Sequence, residues 1–253
     1  VSGRVTVVGL GPGDPSLLTE SARRALDGAT DLIGYFPYVA RVPEREGLVR
    51  HASDNRVEVD RARHALSLAA QGRSVAVVSG GDPGVFAMAA AVFEAVEQGE
   101  PGWRDLAITV EPGITAMLAA AARLGAPLGG DFCAMSLSDN LKPWEVVTAR
   151  LEAVLRADFV IALYNPISSA RPWQLGAALD LAAGIRPAET PVMFARAISR
   201  PDEAIRVATL SEADSAMADM ATVVILGATT TRLIPREGKP PFVYTLRSVK
   251  GVA

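Results

Sequence analysis

The residues best placed to do chemistry in this chain are stretches of backbone. Gly9-Leu10-Gly11-Pro12-Gly13-Asp14-Pro15 follows the apolar run Val5-Thr6-Val7-Val8, and Ser79-Gly80-Gly81-Asp82-Pro83-Gly84-Val85-Phe86 follows Val75-Ala76-Val77-Val78. Glycine at the carboxyl end of a parallel strand lets a ligand approach bare peptide groups. A third segment, Pro112-Gly113-Ile114-Thr115-Ala116, follows another strand and leads into an alanine-rich helix. In an open α/β sheet all three would face the one edge where ligands bind. Two open alternatives are local: Asp82 also suits a helix cap, and Thr115 also suits the cap of the helix after it.

The familiar nucleotide motifs do not fit. A dinucleotide fingerprint needs Gly-x-Gly-x-x-Gly and an acid about 20 residues on. Here proline follows the second glycine, and the acid near that distance, Asp31, precedes its strand. No Gly-Lys-Ser/Thr follows either loop, so a P-loop is excluded. Gly-x-Ser-x-Gly is absent, and the two histidines, His51 and His64, have no triad context. Nor do they form a zinc set, so no metal is expected and both are read as solvated surface residues. Cys133 is the single cysteine; it sits in an apolar run and is read as a structural thiol.

A lone cysteine fits a reducing compartment, and no apolar stretch reaches the roughly 18 residues of a membrane span. Gly3-Arg4 leads directly into a strand rather than into a signal segment, so a soluble, cytoplasmic protein is expected. The net charge of −3, with Lys and Arg scattered, offers no general attraction for nucleic acid.

The elements that must position these loops alternate between strand and helix periods. Strands are predicted at 4–9, 30–34, 57–59, 74–79 and 107–110, with helices at 16–28, 60–72 and 83–98. The spacing then predicts a helix over 115–124, a strand at 131–137, a helix at 143–155, a strand at 158–164 and a helix at 172–184. A strand at 191–195, a short helix near 211–217, a strand at 221–226 and an extended pair around 231–247 follow. Two α/β domains are expected, 1–114 and 115–253, the first with a parallel sheet and the second with a mixed one. Neither an internal repeat nor a low-complexity segment interrupts them.

The three glycine segments, in this order and near these intervals, resemble those of the tetrapyrrole methyltransferases of cobalamin and sirohaem synthesis. Gly34-Tyr35-Phe36-Pro37-Tyr38-Val39, Ser136-Leu137-Ser138-Asp139-Asn140-Leu141-Lys142-Pro143-Trp144 and Leu163-Tyr164-Asn165-Pro166 are similar to one branch of that family. That branch methylates precorrin-3B at ring carbon 17 and contracts the ring. Tyr-Asn replaces the Tyr-Met of the uroporphyrinogen methyltransferases, which argues against their activity.

The resemblance covers nearly the whole chain and implies two α/β domains of the tetrapyrrole methylase type. It also implies S-adenosyl-L-methionine bound in a cleft between them, S-adenosyl-L-homocysteine as product, and a homodimer. By motif, the cofactor contacts would be Gly9, Gly11 and Pro12, then Gly80, Gly81, Asp82 and Val85. Thr115, Ala116, Leu137, Tyr164 or Asn165, Arg196 or Ala197, and Thr229 and Thr230 would complete the pocket.

Methyl transfer from a sulfonium to an electron-rich carbon needs positioning above all, and neither a metal nor a covalent intermediate. Ring contraction also needs a general base near the substrate's hydroxyl, for which Asp82, Tyr35 and Asp139 are the candidates. Asp139 also suits a turn, and Tyr35 and Tyr38 also suit aromatic walls or core. The substrate's carboxylates call for basic groups, and Lys142, Arg171, Arg196 and Arg200 fall in loops after second-domain strands. Tyr38 and Ser138 join them as substrate contacts. Asp82→Asn is expected to impair turnover more than stability.

Rival readings are the cobalt-containing counterpart of the same reaction, another precorrin methyltransferase, and a tetrapyrrole-binding protein without turnover. A nicotinamide-dependent reductase is further away.

Overall fold

The computed structural model describes residues 3–54 and 57–248. The chain divides into two compact units, Val1–Thr115 and Ala116–Ala253.

The first unit runs β1 (Arg4–Gly9), α1 (Glu20–Asp27), β2 (Asp31–Tyr35), α2 (Phe36–Val39), β3 (Val49–Ser53) and α3 (Glu58–Ala70). It continues with β4 (Ser74–Ser79), α4 (Met88–Gln98) and β5 (Ala107–Glu111). Its sheet has the order β3-β2-β4-β1-β5, and every pairing is parallel. Side chains alternate across a strand, so β1 and β4 feed two cores. Val5, Val7, Val75 and Val77 pack with Ala62, Leu66 and Val92 on one face. Val8, Ala76 and Val78 pack with Ala22, Leu26 and Leu32 on the other. That two-sided burial explains why these strands read as nearly continuous apolar runs.

The second unit contains α5 (Ala116–Leu124), β6 (Gly125–Ala126), β7 (Phe132–Ser136), α6 (Trp144–Arg156), β8 (Val160–Tyr164) and α7 (Gln174–Ala183). β9 (Pro191–Arg196), β10 (Ala204–Thr209), β11 (Thr222–Leu226), β12 (Thr231–Arg236) and β13 (Lys239–Thr245) complete it. Its main sheet, β10-β9-β11-β8-β7, is mixed: β7 and β8 are parallel, while β11 is antiparallel to both neighbours. Leu151, Leu155, Leu175 and Leu179 from α6 and α7 cover Ile161, Leu163, Phe194 and Val224. A smaller sheet, β12-β13-β6, carries the final hairpin.

Several elements differ from the sequence reading. Residues 57–59 are not a strand: Glu58 begins α3, and the strand is β3, at 49–53. The stretch 16–28 is broken into a short 3₁₀ turn capped by Asp14 and a helix capped by Thr19, each cap accepting a backbone amide. Residues 83–87 form a turn before α4, with Phe86 at φ 52°. The helix near 211–217 is one 3₁₀ turn, Ser215–Met217. β10, a half-exposed edge strand, was not expected at all.

Candidate active site

β4, β1 and β5 lie side by side, so the loops leaving their carboxyl ends are neighbours. Gly11 and Gly81 form a two-way bridge, with Gly11 N donating to Gly81 O at 3.1 Å and Gly81 N to Gly11 O at 2.9 Å. Both glycines have positive φ, 66° and 64°, a region that L side chains avoid. Asp82 then joins the third loop: Oδ1 accepts the Gly84 amide at 2.8 Å and Oδ2 the Gly113 amide at 3.0 Å. A β-carbon on Gly113 would come within 2.2 Å of Gly81 O. The three loops form one backbone assembly that only glycine allows.

Side chains of the same unit back this assembly. Tyr38 lies against Gly80, where a β-carbon would meet its ring at 2.8 Å. Tyr35, the last residue of β2, stands edge-on to Tyr38 with ring centroids 5.6 Å apart. Thr19 Oγ1 donates to Pro112 O at 3.3 Å and ties α1 to the third loop. Val85 is half-buried beside Phe86, which is about half exposed, and Thr115 is buried at the end of the unit.

In the second unit the ends of β7, β8 and β9 share one edge. Leu137 N donates to Tyr164 O at 2.9 Å, and Asn165 Nδ2 to Ser136 Oγ at 2.9 Å. Ser138 N also donates to Ser136 Oγ, at 3.3 Å. Three non-glycine residues here adopt positive φ: Asn165 at 50°, Ala197 at 47° and Ser199 at 62°. Backbone in that region is strained and is found preferentially at functional sites. Asparagine tolerates it, a signal the sequence did carry; alanine and serine give none. At the amino end of α5, next to Ala116, the Met117 amide donates to Tyr164 Oη at 2.9 Å.

Two of the basic candidates on this edge, Arg171 and Arg196, pair with carboxylates of the same unit. Arg171 pairs with Asp139 at 3.3 Å and also hydrogen-bonds Asn140, which links the loops after β8 and β7. Arg196, the last residue of β9, bonds Asp219 at 2.6 Å and Asp202 at 2.9 Å. Those bonds, Asp219 first, raise its pKa above the usual arginine value. Lys142 has a lowered pKa, from burial and then from the nearby charge of Arg150. Arg200 follows β9 on the same edge. Thr229 and Thr230 do not join this group. β11 runs against β8, so its carboxyl end lies at the start of β8, where Thr229 N donates to Asp158 Oδ1 at 2.9 Å.

His64 is exposed, as expected from sequence, while His51 is half-buried, and the two are in contact. Their rings meet edge-on at 4.8 Å, and His51 Nε2 lies 3.0 Å from Oδ1 of buried Asp31, at the opposite end of β2 from Tyr35. Cys133 is half-buried against the second core, and burial pushes its thiol pKa up. Among the described residues no three His, Cys, Asp or Glu side chains are grouped to hold a metal ion, and no helix is long and apolar enough to cross a membrane.

An all-parallel unit with three glycine-built loops at one sheet edge, followed by a mixed unit, places the chain among two-unit α/β proteins. Residues 4–214 match the tetrapyrrole (corrin/porphyrin) methylases, and the chain belongs to this family. It is a methyltransferase. It is 55% identical over its full length, and over the full length of the relative, to a precorrin-3B C(17)-methyltransferase of Sinorhizobium sp.. It is 39% identical to a probable cobalt-factor III C(17)-methyltransferase of Salmonella typhimurium, covering 96% of this chain and 100% of that one. The crystal structure of the methyltransferase CobJ superposes with a TM-score of 0.92 at 54% identity, covering 97% of this chain and 100% of that one. A uroporphyrin-III C-methyltransferase of Thermus thermophilus, complexed with S-adenosylhomocysteine, gives 0.67 at 25% identity, with 89% and 97% covered.

Proposed function

We propose that this protein is an S-adenosylmethionine-dependent C-methyltransferase of cobalamin biosynthesis. It methylates precorrin-3B at ring carbon 17 and contracts the ring to give precorrin-4. The observation that carries the reading is the 55% identity to a precorrin-3B C(17)-methyltransferase over both full lengths.

The first-unit loops fit the cofactor. S-adenosylmethionine supplies an electrophilic methyl group on a sulfonium. Gly9 and Gly113 let the three loops pack backbone against backbone, and Gly11 and Gly81 bridge them, so peptide groups rather than long side chains, with Gly80 among them, are proposed to meet the cofactor. Pro12, Asp82, Val85 and Thr115 flank that backbone. In the second unit Ala116, Leu137, Tyr164, Asn165, Arg196 and Ala197 are proposed contacts, and the strained φ of Asn165 and Ala197 supports them. Thr229 and Thr230 remain in the proposal on motif alone.

The chain's own work is orientation, because methyl transfer in line with the leaving sulfur depends on alignment. Arg171, Lys142, Arg200, Ser138 and Tyr38 are proposed to hold the acidic tetrapyrrole. The base for contraction is proposed among Asp82, Asp139 and Tyr35. A homodimer is part of the proposal, supported by exposed Leu233, Ile234 and Phe242 on the terminal hairpin. So is a cytoplasmic setting, supported by the single unpaired cysteine.

The test is incubation with S-adenosylmethionine and metal-free precorrin-3B, following methyl incorporation and the mass and spectrum of the product. One added methyl group with a contracted ring is expected. No methylation of the metal-free substrate, with turnover of its cobalt complex, would replace the reading by the cobalt-dependent one. In single variants of Asp82, Asp139 and Tyr35, methylation without contraction identifies the base.

A further inference from the structure

Arg41 joins the short turn after β2 to the first glycine loop of the same unit. It follows α2, the short turn leaving β2, and its backbone amide donates to Tyr38 O at 3.1 Å. Its guanidinium reaches back to the first glycine loop, where Nη2 donates to Leu10 O at 2.6 Å and to Gly11 O at 3.1 Å. These two carbonyls belong to consecutive peptides at the bridge with Gly81.

We propose that Arg41 is a positioning residue for the cofactor loop, an inference that rests on the reading of this edge as the S-adenosylmethionine site. The physical argument is one of peptide orientation. Each peptide is planar, so fixing a carbonyl fixes the amide opposite it. The Leu10 carbonyl sets the Gly11 N–H, which points at Gly81 O. The Gly11 carbonyl sets the peptide to Pro12, which has no N–H of its own. Glycine lets this backbone reach positive φ, and the same freedom lets it leave when nothing holds it. Bonds from a charged donor are among the stronger ones; both come from one nitrogen, Nη2, at the end of a longer side chain than lysine's, so a lysine ammonium at this position reaches the two carbonyls less well. The same short turn places Tyr38 against Gly80, so α2 and Arg41 together support the loops after β1 and β4.

A neighbouring arginine supplies the control. Arg45 Nη2 donates to Leu26 O at 3.1 Å and also to Ala29 O, at the end of α1 and away from the glycine loops. Removing either guanidinium takes a similar pair of bonds from the unit, but only one of them touches the cofactor loop.

The experiment compares wild type, Arg41→Met, Arg41→Lys and Arg45→Met by urea unfolding, by calorimetric titration with S-adenosylhomocysteine, and by KM for each substrate. The two methionine variants should lose similar stability. Arg41→Met should bind S-adenosylhomocysteine about tenfold more weakly, the equivalent of roughly 1.4 kcal/mol, with KM raised for S-adenosylmethionine and unchanged for the tetrapyrrole. Arg41→Lys should recover part of that loss, and Arg45→Met should bind as wild type does. Wild-type affinity in folded Arg41→Met, or the same affinity loss in Arg45→Met, would overturn the inference. If Arg41→Met does not fold, Arg41→Lys decides it, with wild-type affinity counting against. Wild type that binds no S-adenosylhomocysteine would instead remove the reading of the site itself, and this inference with it.

Discussion

Asp82 Oδ2 accepts the Gly113 amide at 3.0 Å, so one side chain joins the loop after β4 to the loop after β5. Its other oxygen holds the Gly84 amide at 2.8 Å. The carboxylate therefore has a structural task whatever it contributes to the reaction. Asp82 is not the helix cap the sequence leaves open, because α4 begins at Met88 after Ala87; its two bonds shape the loop itself, the one proposed to meet the cofactor.

The first prediction reverses the order expected from sequence for Asp82→Asn. An asparagine keeps one acceptor and turns an NH2 donor toward an amide donor, so one N–H loses its partner. Each such loss costs about 1–3 kcal/mol. Asp82→Ala and Asp82→Asn should both lower unfolding stability by this order, with methyl transfer falling in parallel. Urea titration beside an initial-rate assay checks it. Wild-type stability in Asp82→Asn with turnover largely lost would return Asp82 to a direct chemical role.

How legible this was depended on whether a feature is encoded in residue type. The loops at 9–15 and 79–86 were readable because glycine and proline punctuate apolar runs there. β3 and β10 were not, since Val49-Arg50-His51-Ala52-Ser53 and Ala204–Thr209 are edge strands with polar, half-exposed faces. The contact of His51 with Asp31 was hidden because it depends on Ile33 and His51 being in register, a tertiary fact. Ala197 at φ 47° carries no local signal. Thr229 follows an apolar strand as the other site residues do, yet the antiparallel direction of β11 takes it to the start of β8.

The second prediction separates two glycines of the same edge. A β-carbon on Gly9 would lie 2.7 Å from both Gly113 N and Gly81 O, which are backbone atoms fixed by neighbouring loops. On Gly80 it would meet the Tyr38 ring at 2.8 Å, and a side chain can swing aside. Overpacking costs about 1–3 kcal/mol. Gly9→Ala should lie at or beyond the upper end, and Gly80→Ala nearer the lower. Tyr38→Leu should relieve Gly80→Ala in a double-mutant cycle and leave Gly9→Ala unchanged. Equal costs for the two glycines would refute the distinction.

The third concerns acid stability. Burial alone would raise the Asp31 carboxyl, but hydrogen bonds from Arg73, His51 and Thr30 outweigh it and hold its pKa at about 2. An unfolded aspartate titrates near 3.9. The folded value is the lower one, so the stabilisation is fully present above about pH 4 and is lost as pH falls toward 2. The stability difference between wild type and Asp31→Asn should shrink by about 2 kcal/mol between pH 5 and pH 2. A difference independent of pH over that range would show that Asp31 is not held in this way.

The last prediction concerns Tyr164, whose two polar ends do different things. Its carbonyl accepts the Leu137 amide at 2.9 Å and fixes the chain leaving β7. Its hydroxyl accepts the Met117 amide at 2.9 Å. The first amides of a helix have no partner within the helix, so this hydroxyl serves α5 as a cap from a distant strand. Tyr164→Phe keeps the ring and the carbonyl but strands the Met117 N–H. Stability should fall by about 1 kcal/mol, and hydrogen exchange at Met117 should accelerate more than exchange in α6 or α7. If the proposed cofactor contact is made by the backbone and ring, affinity for S-adenosylhomocysteine should stay within about threefold, a change of roughly 0.7 kcal/mol. A much larger loss of affinity, with Met117 exchange unchanged, would instead assign the hydroxyl to the cofactor.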